Sequence, residues 1–291
     1  MLSMGAAIDA LEAAFADSVP PEAPQRTHVA TSNGTLLLMP AHGHAGTGVK
    51  IVTVAPDNPD RGLPLIHGAY VLFSAETLEL EAVIDGGALT GIRTAAVSGL
   101  ATRYLARAGA RSLVIFGAGT QANTHLDAMV AVRPIETVTV VSRSAGPAEE
   151  LAERARSNGL DGRVGDPSAV SNADIVCTCT TSPEPLFDGA LLRPGSHINA
   201  VGAFEPHARE LDEATILRSR VVVEDRAAAL EEAGDLIIPL LAGRIDEGHI
   251  VADLREVVAG AEIRRSDDDI TTFKSVGLAM EDLAVARAAV R

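Results

Sequence analysis

Tryptophan is absent from this chain, and aromatic residues make up only 3% of it. The core therefore has to be aliphatic. Basic residues are also scarce: 24 Lys and Arg stand against 39 Asp and Glu, a formal net charge of −15. That balance disfavours nucleic acid and anionic membranes as partners, since both repel a strongly acidic surface. An anionic small molecule would have to be drawn in by a local cationic pocket, against the global field. The apolar runs fall far short of the length needed to span a bilayer. The opening residues lack a cationic segment and already carry Asp9 and Glu12, so no secretory leader is expected. Cysteine is nearly missing too. Cys177 and Cys179 lie one residue apart on a predicted strand, so their side chains should point to opposite faces. That spacing argues against a mutual disulfide and against a metal clip, and a cytoplasmic, metal-free protein is expected. What remains is a chain of 291 residues that is 47% hydrophobic, with mean hydropathy +0.19. This is enough for one large or two medium globular domains.

The most informative stretch is Ser112-Leu-Val-Ile-Phe116-Gly117-Ala118-Gly119-Thr120-Gln121-Ala122. Four apolar residues run into a Gly-x-Gly-x-x-Ala turn, and an amphipathic segment follows with Ala122, Leu126, Met129 and Val130 on one stripe. This strand–turn–helix context is what a dinucleotide fingerprint requires. Gly117 permits the tight turn, and Gly119 lets the backbone approach a pyrophosphate. Ala122 allows close helix–strand packing, and the helix N-terminus offers N–H groups to the phosphates. The next predicted strand ends in Ser142, Arg143 and Ser144. An NAD-specific site would place Asp or Glu there to accept from the ribose 2′-hydroxyl. Arginine pairs with phosphate and hydroxyls donate to it, so these residues favour NADP(H), with NAD(H) possible. The plainer alternative is that Arg143 is a solvated loop residue.

From about Arg111 to Asp269 strands and helices alternate. Strands are expected at 112–116, 137–142, 174–179, 196–201 and 220–224. Helices are expected at 121–132, 147–158, 210–218 and 226–233. Alternation of this kind gives an α/β fold with a Rossmann-type, doubly wound parallel sheet. The turn Thr180-Thr-Ser-Pro183 follows a strand end, where such sheets bind ligands. Residues 1–101 read differently. A helix with Ile8, Leu11, Ala14 and Phe15 on one side leads into short segments at 35–39, 49–54, 69–73 and 78–84. In the last, Leu78, Leu80, Ala82 and Ile84 alternate with Glu79 and Glu81, as in a half-buried antiparallel strand. Ala88 to Leu105 forms a helix dense in small residues, and Leu278 to Val290 forms an Ala-rich one that returns to the N-terminal part. The expected domains are therefore an α+β domain of residues 1–105 and 270–291 and a dinucleotide-binding domain of residues 106–269.

Three basic residues stand where solvated surface explains them poorly. Lys50 shares a face with Val52 and Val54, so it either snorkels at a strand edge or points into a pocket. Arg93 lies among apolar and small residues. A buried charge needs a partner, so Arg93 requires an anion from protein or substrate. Arg26 is a weaker case, since loop arginines are common.

Together these residues resemble the ornithine cyclodeaminase/mu-crystallin family. The matching segments are Pro24-Gln-Arg26, Leu38-Met39-Pro40, Gly48-Val-Lys50-Ile-Val with Pro56-Asp-Asn58-Pro59, and Leu89-Thr-Gly-Ile-Arg93-Thr-Ala-Ala. Further on come Phe116-Gly-Ala-Gly-Thr-Gln121, His197-Ile-Asn199-Ala-Val-Gly202, Arg209-Glu-Leu-Asp212 and Phe273-Lys-Ser275-Val276-Gly277 with Glu281-Asp282. The resemblance implies a two-domain homodimer whose dimer domain is the N-terminal half plus the C-terminal helix. It implies that Arg26, Lys50 and Arg93 hold a substrate carboxylate, with Val276 beside the substrate. It also implies that Thr120, Gln121, Thr180, Asn199, Ala200, Val201 and Ser275 contact the dinucleotide, beside Gly117, Gly119, Ser142, Arg143 and Ser144 read above. For Thr180 and Ser275, ordinary loop capping is the alternative.

Members similar to cyclodeaminases and alanine dehydrogenases place an aspartate two residues after the glycine of the Asn-Ala-Val-Gly strand end. Here that position is Phe204, which cannot transfer a proton. The Gly-Ala-Phe-x-Pro pattern looks like the ketimine reductase branch, which implies cyclic imino acids such as Δ1-pyrroline-2-carboxylate and Δ1-piperideine-2-carboxylate as substrates. Reduction of a C=N bond needs a hydride on carbon and a proton on nitrogen. Lys50 is the best candidate donor, its pKa lowered by burial beside two arginines, and Phe204 would pack on ring methylenes. Two other readings stay open: an ornithine cyclodeaminase or alanine-dehydrogenase-type oxidoreductase, and a non-enzymatic NADP(H)-binding protein like a crystallin.

Overall fold

The computed structural model describes residues 2–19, 21–24 and 26–290, apart from the Pro59 side chain. The chain forms two compact units: Met1–Val97 with Gly277–Arg291, and Ser98–Val276.

In the first unit, α1 (Met4–Ala16) is capped by Ser3 Oγ, which accepts from the Ala6 N–H at 3.2 Å. Ala7, Ile8, Leu11 and Phe15 form its buried stripe. An antiparallel meander follows: β1 (Thr27–Thr31), β2 (Gly34–Gly43), β3 (Gly46–Val54), β4 (Ile66–Phe73) and β5 (Leu80–Asp85), ordered as in sequence. β3 alternates buried and half-buried positions, so Gly48, Lys50 and Val52 share its covered face. The last of these strands departs from expectation. Leu78 and Leu80 are exposed, and only Ala82 and Ile84 are half-buried. A turn closed by Ser74 N–H on the Glu79 carbonyl holds Leu78 at φ +58°, so the alternating pattern begins only after it. Next comes α2 (Gly86–Leu105), and the boundary between the units falls inside it.

The second unit opens with β6 (Ser112–Phe116), α3 (Thr120–Val132), β7 (Thr137–Val141), α4 (Ala145–Ser157) and β8 (Asp161–Val164). It continues with β9 (Ile175–Thr178), β10 (His197–Ala200), α5 (Glu213–Arg218), β11 (Ser219–Val223), α6 (Arg226–Glu232) and α7 (Gly234–Leu241). The last elements are β12 (Ile250–Asp253), α8 (Leu254–Val258) and β13 (Ile270–Lys274). Every ladder in its eight-stranded sheet is parallel, in the order β12-β11-β13-β10-β9-β6-β7-β8. Strand order reverses between β6 and β9, the position where doubly wound sheets open a crevice at their carboxyl ends. The core is aliphatic (Val114, Val176, Ile198, Val221, Leu236) with one stacked pair, Phe116 and Phe187, at 5.3 Å.

Besides the division at Val97/Ser98 instead of 105/106, two further boundaries differ from those read in the sequence. β13 pairs between β10 and β11, so residues 270–274 belong to the large sheet, and the second unit extends to Val276. The helix read over 210–218 starts only at Glu213. Asp212 caps it by accepting from Thr215 N–H at 2.8 Å, and the N–H groups of Glu210 and Leu211 turn away to Asp235 Oδ1. The Leu278–Val290 helix is α9 (Ala279–Val290), in the first unit. Cys177 and Cys179 are free thiols, and burial pushes the Cys177 thiol up to about 12.

Two histidines are sealed inside the second unit. His125 Nδ1 donates to the Gln121 carbonyl at 2.7 Å, so its Nε2 accepts from Ser98 Oγ at 2.9 Å. His197 bridges Thr271 Oγ1 and Asn199 Oδ1 at 3.0 and 3.2 Å. Burial pulls their pKa values from 6.5 down to about 4 and about 3. The unfolded chain then binds more protons than the folded one below pH about 6.5. Stability should be fullest above that pH and fall as pH drops toward 4. The contribution is on the order of 2 kcal/mol per histidine between pH 6.5 and 5. Urea unfolding at both pH values checks this. His197→Gln and His125→Gln should each flatten the dependence, and an unchanged dependence in both would contradict it.

Candidate functional site

In the first unit three cations converge on the segment leading into α9. Lys50 is 2% exposed, so it does not snorkel. Its Nζ lies 2.7 Å from Asp282 Oδ2. Arg93, 7% exposed, places Nη1 at 3.0 Å from Glu281 Oε2 and Nε at 3.3 Å from Asp282 Oδ1. Arg26 Nη2 donates to the Gly277 carbonyl at 2.9 Å. Gly277 adopts φ +82°, and a Cβ there would come within 2.5 Å of Arg93 Nη1. Glycine is therefore required twice, by its backbone and by the guanidinium lying against it. Gln25 of the matched loop segment lies outside the described residues.

The anion that Arg93 needs comes from the protein. Glu281 and Asp282 stand fully buried in the first turn of α9. Sequence reasoning marks this pair within a matched segment but gives it no role. The available signal is two adjacent carboxylates opening an otherwise Ala-rich helix. Burial pulls the Lys50 ammonium from 10.5 down to about 8; Asp282 opposes that shift and Arg93 reinforces it. Burial, more than the arginines, is thus the main cause. Tyr70 faces Lys50 across the β3–β4 ladder, with its hydroxyl over Gly48. Burial raises its phenol pKa.

In the second unit the glycine turn has the form a dinucleotide site needs. Gly117 has φ +103°, and a Cβ there would stand 2.7 Å from the Cys179 carbonyl oxygen. A Cβ at Gly119 would meet nothing of the chain within 4 Å. The protein's own packing does not demand glycine at 119. Gly119 also leaves α3 without a side-chain cap, and Ala122 is buried against the sheet. Thr120 and Gln121 form the first turn of α3. Beyond β7, the Ser144 N–H donates to Ser142 Oγ at 3.3 Å, and Arg143 is exposed. Residues 142–144 contain no carboxylate.

Other expected cofactor residues are tied into the protein. Thr180 Oγ1 donates to Glu210 Oε1 at 2.6 Å, and Ser275 Oγ to Glu224 Oε1 at 2.5 Å. Val276 N–H donates to Glu224 Oε2 at 3.0 Å. Both hydroxyls are thus engaged by buried carboxylates of the protein. The Asn199 amide is buried and donates to Thr102 Oγ1 at 2.9 Å, which leaves backbone as the means by which Asn199, Ala200 and Val201 shape the strand end. Phe204 is 44% exposed on the loop after β10. Among the described residues no group of His, Cys, Asp and Glu could hold a metal ion, and no helix is long and apolar enough to cross a membrane.

Comparison with known proteins adds the following. The ornithine cyclodeaminase/mu-crystallin family profile matches residues 1–290. A Delta(1)-pyrroline-2-carboxylate reductase of Bacillus cereus is 40% identical over 278 residues, 91% of this chain and 84% of that protein. The solved structure of Thermococcus litoralis Delta(1)-pyrroline-2-carboxylate reductase with NADH and L-proline superposes with a TM-score of 0.94. It is 38% identical, over 99% of this chain and 93% of that one. An archaeal alanine dehydrogenase dimer with bound NAD also gives 0.94, at 33% identity, over 99% and 91%.

The buried pair makes a stability prediction. Removing one partner leaves an uncompensated buried charge, at a cost of about 3–5 kcal/mol. Lys50→Met and Asp282→Leu should each lose about that much in urea unfolding. The double variant should lose less than the sum by more than about 1 kcal/mol. Additive losses would mean the two groups do not interact.

Proposed function

Because the chain belongs to the ornithine cyclodeaminase/mu-crystallin family, we propose that it is an oxidoreductase that reduces cyclic imino acids. The substrates are Δ1-pyrroline-2-carboxylate and Δ1-piperideine-2-carboxylate, and the products L-proline and L-pipecolate. The observation that carries this reading is a buried lysine of pKa about 8, set in a carboxylate-balanced cationic cluster. The pyrroline-2-carboxylate reductases of similar sequence and structure support it.

Arg26 and Arg93 hold the substrate carboxylate and fix the ring's orientation. Glu281 and Asp282 keep Arg93 and Lys50 in place before substrate arrives, so little reorganisation is needed on binding. Lys50 Nζ carries a proton near neutral pH and can give it to the imine nitrogen. The glycine turn of Gly117 and Gly119, with the α3 N-terminus, holds a dinucleotide, which supplies a hydride when bound. Ser142, Arg143 and Ser144 favour NADPH over NADH through the 2′-phosphate, although the similar structures carry NADH or NAD. Val276 and Phe204 contribute apolar surface to the substrate. A second copy of the chain is the expected partner.

Cyclodeamination of ornithine would also require expulsion of ammonia, with a carboxylate beside the reacting nitrogen. Phe204 occupies the position where the resemblance implies that carboxylate, and it cannot serve.

The direct test follows reduced-nicotinamide oxidation with five- and six-membered cyclic imino acids, and ammonia release from ornithine. Turnover of the imines without ammonia is expected. One methylene is worth about 1–3 kcal/mol of discrimination, so both rings should be accepted with unequal kcat/KM. Ammonia and proline formed from ornithine at a rival rate would overturn the reading.

For the cofactor, Arg143→Ala should erode the preference for NADPH mainly through its KM. The lost charge-assisted contact contributes roughly 1.5–3 kcal/mol, about one to two decades. Equal use of both cofactors by the parent protein would contradict the 2′-phosphate assignment.

A further inference from the structure

Glu210 is completely buried at the carboxyl edge of the parallel sheet, and all four acceptor positions of its carboxylate are filled. Oε1 accepts from Thr180 N–H at 2.8 Å and from Thr180 Oγ1 at 2.6 Å. Oε2 accepts from Gly202 N–H at 2.7 Å and from Thr178 Oγ1 at 2.7 Å. Each oxygen faces a main-chain N–H that cannot accept a proton, so these bonds select the ionised form. Burial pushes the carboxyl pKa up, while Lys274 pulls it down. Gly202 fits because it has no side chain: a Cβ would overlap the Thr180 carbonyl and lie 2.5 Å from Glu210 Oε1.

The network continues inward. The N–H groups of Glu210 and Leu211 both donate to Asp235 Oδ1 at 2.8 Å. Asp235 Oδ2 lies 2.8 Å from Lys274 Nζ, which also donates to the Ala203 carbonyl at 2.5 Å. The loop ends after β9, β10 and β13 are thus tied to each other through charge-assisted hydrogen bonds. The strands themselves are already held by the aliphatic core beneath them. The carboxylate's contacts are confined to the edge where a doubly wound sheet receives its ligand.

We propose that Glu210 is a positioning residue of the nucleotide site, acting through Thr180 and the Gly202 main chain. The proposal rests on the reading of this sheet edge as a dinucleotide site. Glu210→Gln keeps the shape but replaces one acceptor oxygen with an NH2 group. That group must then face Thr180 N–H or Gly202 N–H, donor against donor, and the loop must move.

The test is titration of the full-length protein with NADH and, separately, NADPH by calorimetry. Circular dichroism and steady-state kinetics accompany it. For Glu210→Gln the account expects a nucleotide Kd raised about tenfold or more, since charged hydrogen bonds are lost. The CD spectrum should be unchanged, and the imino-acid KM should stay within about twofold at saturating nucleotide. Thr180→Val should also weaken nucleotide binding, and Thr180→Ser, which keeps the hydroxyl, should restore it. These two variants carry the test if Glu210→Gln does not fold. In the double variant Glu210→Gln/Thr180→Val the losses should be less than additive. Parent-like nucleotide affinity in Glu210→Gln, or in Thr180→Val, would overturn the proposal. A parent protein that binds neither nucleotide would instead overturn the dinucleotide reading, and the proposal with it.

Discussion

An ammonium cannot be taken out of water alone, and the first unit is arranged around that constraint. Lys50 sits on the covered face of a β-strand between small and apolar neighbours, a position that excludes an unpaired charge. Asp282 makes it tenable, and Glu281 does the same for Arg93. The carboxylates come from the far end of the chain. The return of α9 to the N-terminal unit therefore completes the charge balance of the cluster as well as its packing. Breaking such a pair is far more damaging than never having had it, so the pairs act chiefly to hold groups in place.

The second unit meets the same constraint with the opposite sign. There the buried charges are mostly carboxylates, and they are satisfied by main-chain N–H groups and hydroxyls at the sheet's carboxyl edge. The chain contains only two lysines, and both are buried against a carboxylate: Lys50 with Asp282 and Lys274 with Asp235. Its exposed positive charge is left to arginine and histidine. Lysine, whose charge can be withdrawn by burial, occurs only where a fixed partner holds it.

The glycine turn is legible in the sequence because each of its requirements is local: a strand, a positive φ, an uncapped helix start. Lys50 and Arg93 are legible because charge among apolar residues needs explaining, whereas Arg26, a loop arginine, enters only with the family resemblance. The partners are not legible, because Glu281 and Asp282 lie nearly 190 residues from Arg93, and no local pattern states which charges meet. The carboxylates that bond the Thr180 and Ser275 hydroxyls are not legible either, since Glu210 and Glu224 lie 30 and 51 residues away in the chain. β13 is missed as a strand because Ile-Thr-Thr-Phe-Lys lacks the continuous apolar run of a parallel interior strand. Its threonines and lysine are buried by hydrogen bonding instead. The short polar β8 shows no alternation, and the unit boundary lies unmarked inside α2.

The central claim is that Lys50 is a desolvated ammonium held by Asp282 and able to give up its proton near neutral pH. Lysine-selective 15Nζ NMR measures this directly, since the chain offers two lysine signals and Lys50→Met identifies one of them. The account predicts that the Lys50 signal titrates near 8. A Lys50 signal that keeps its proton to pH 10.5 or above, like a solvated lysine, would contradict it.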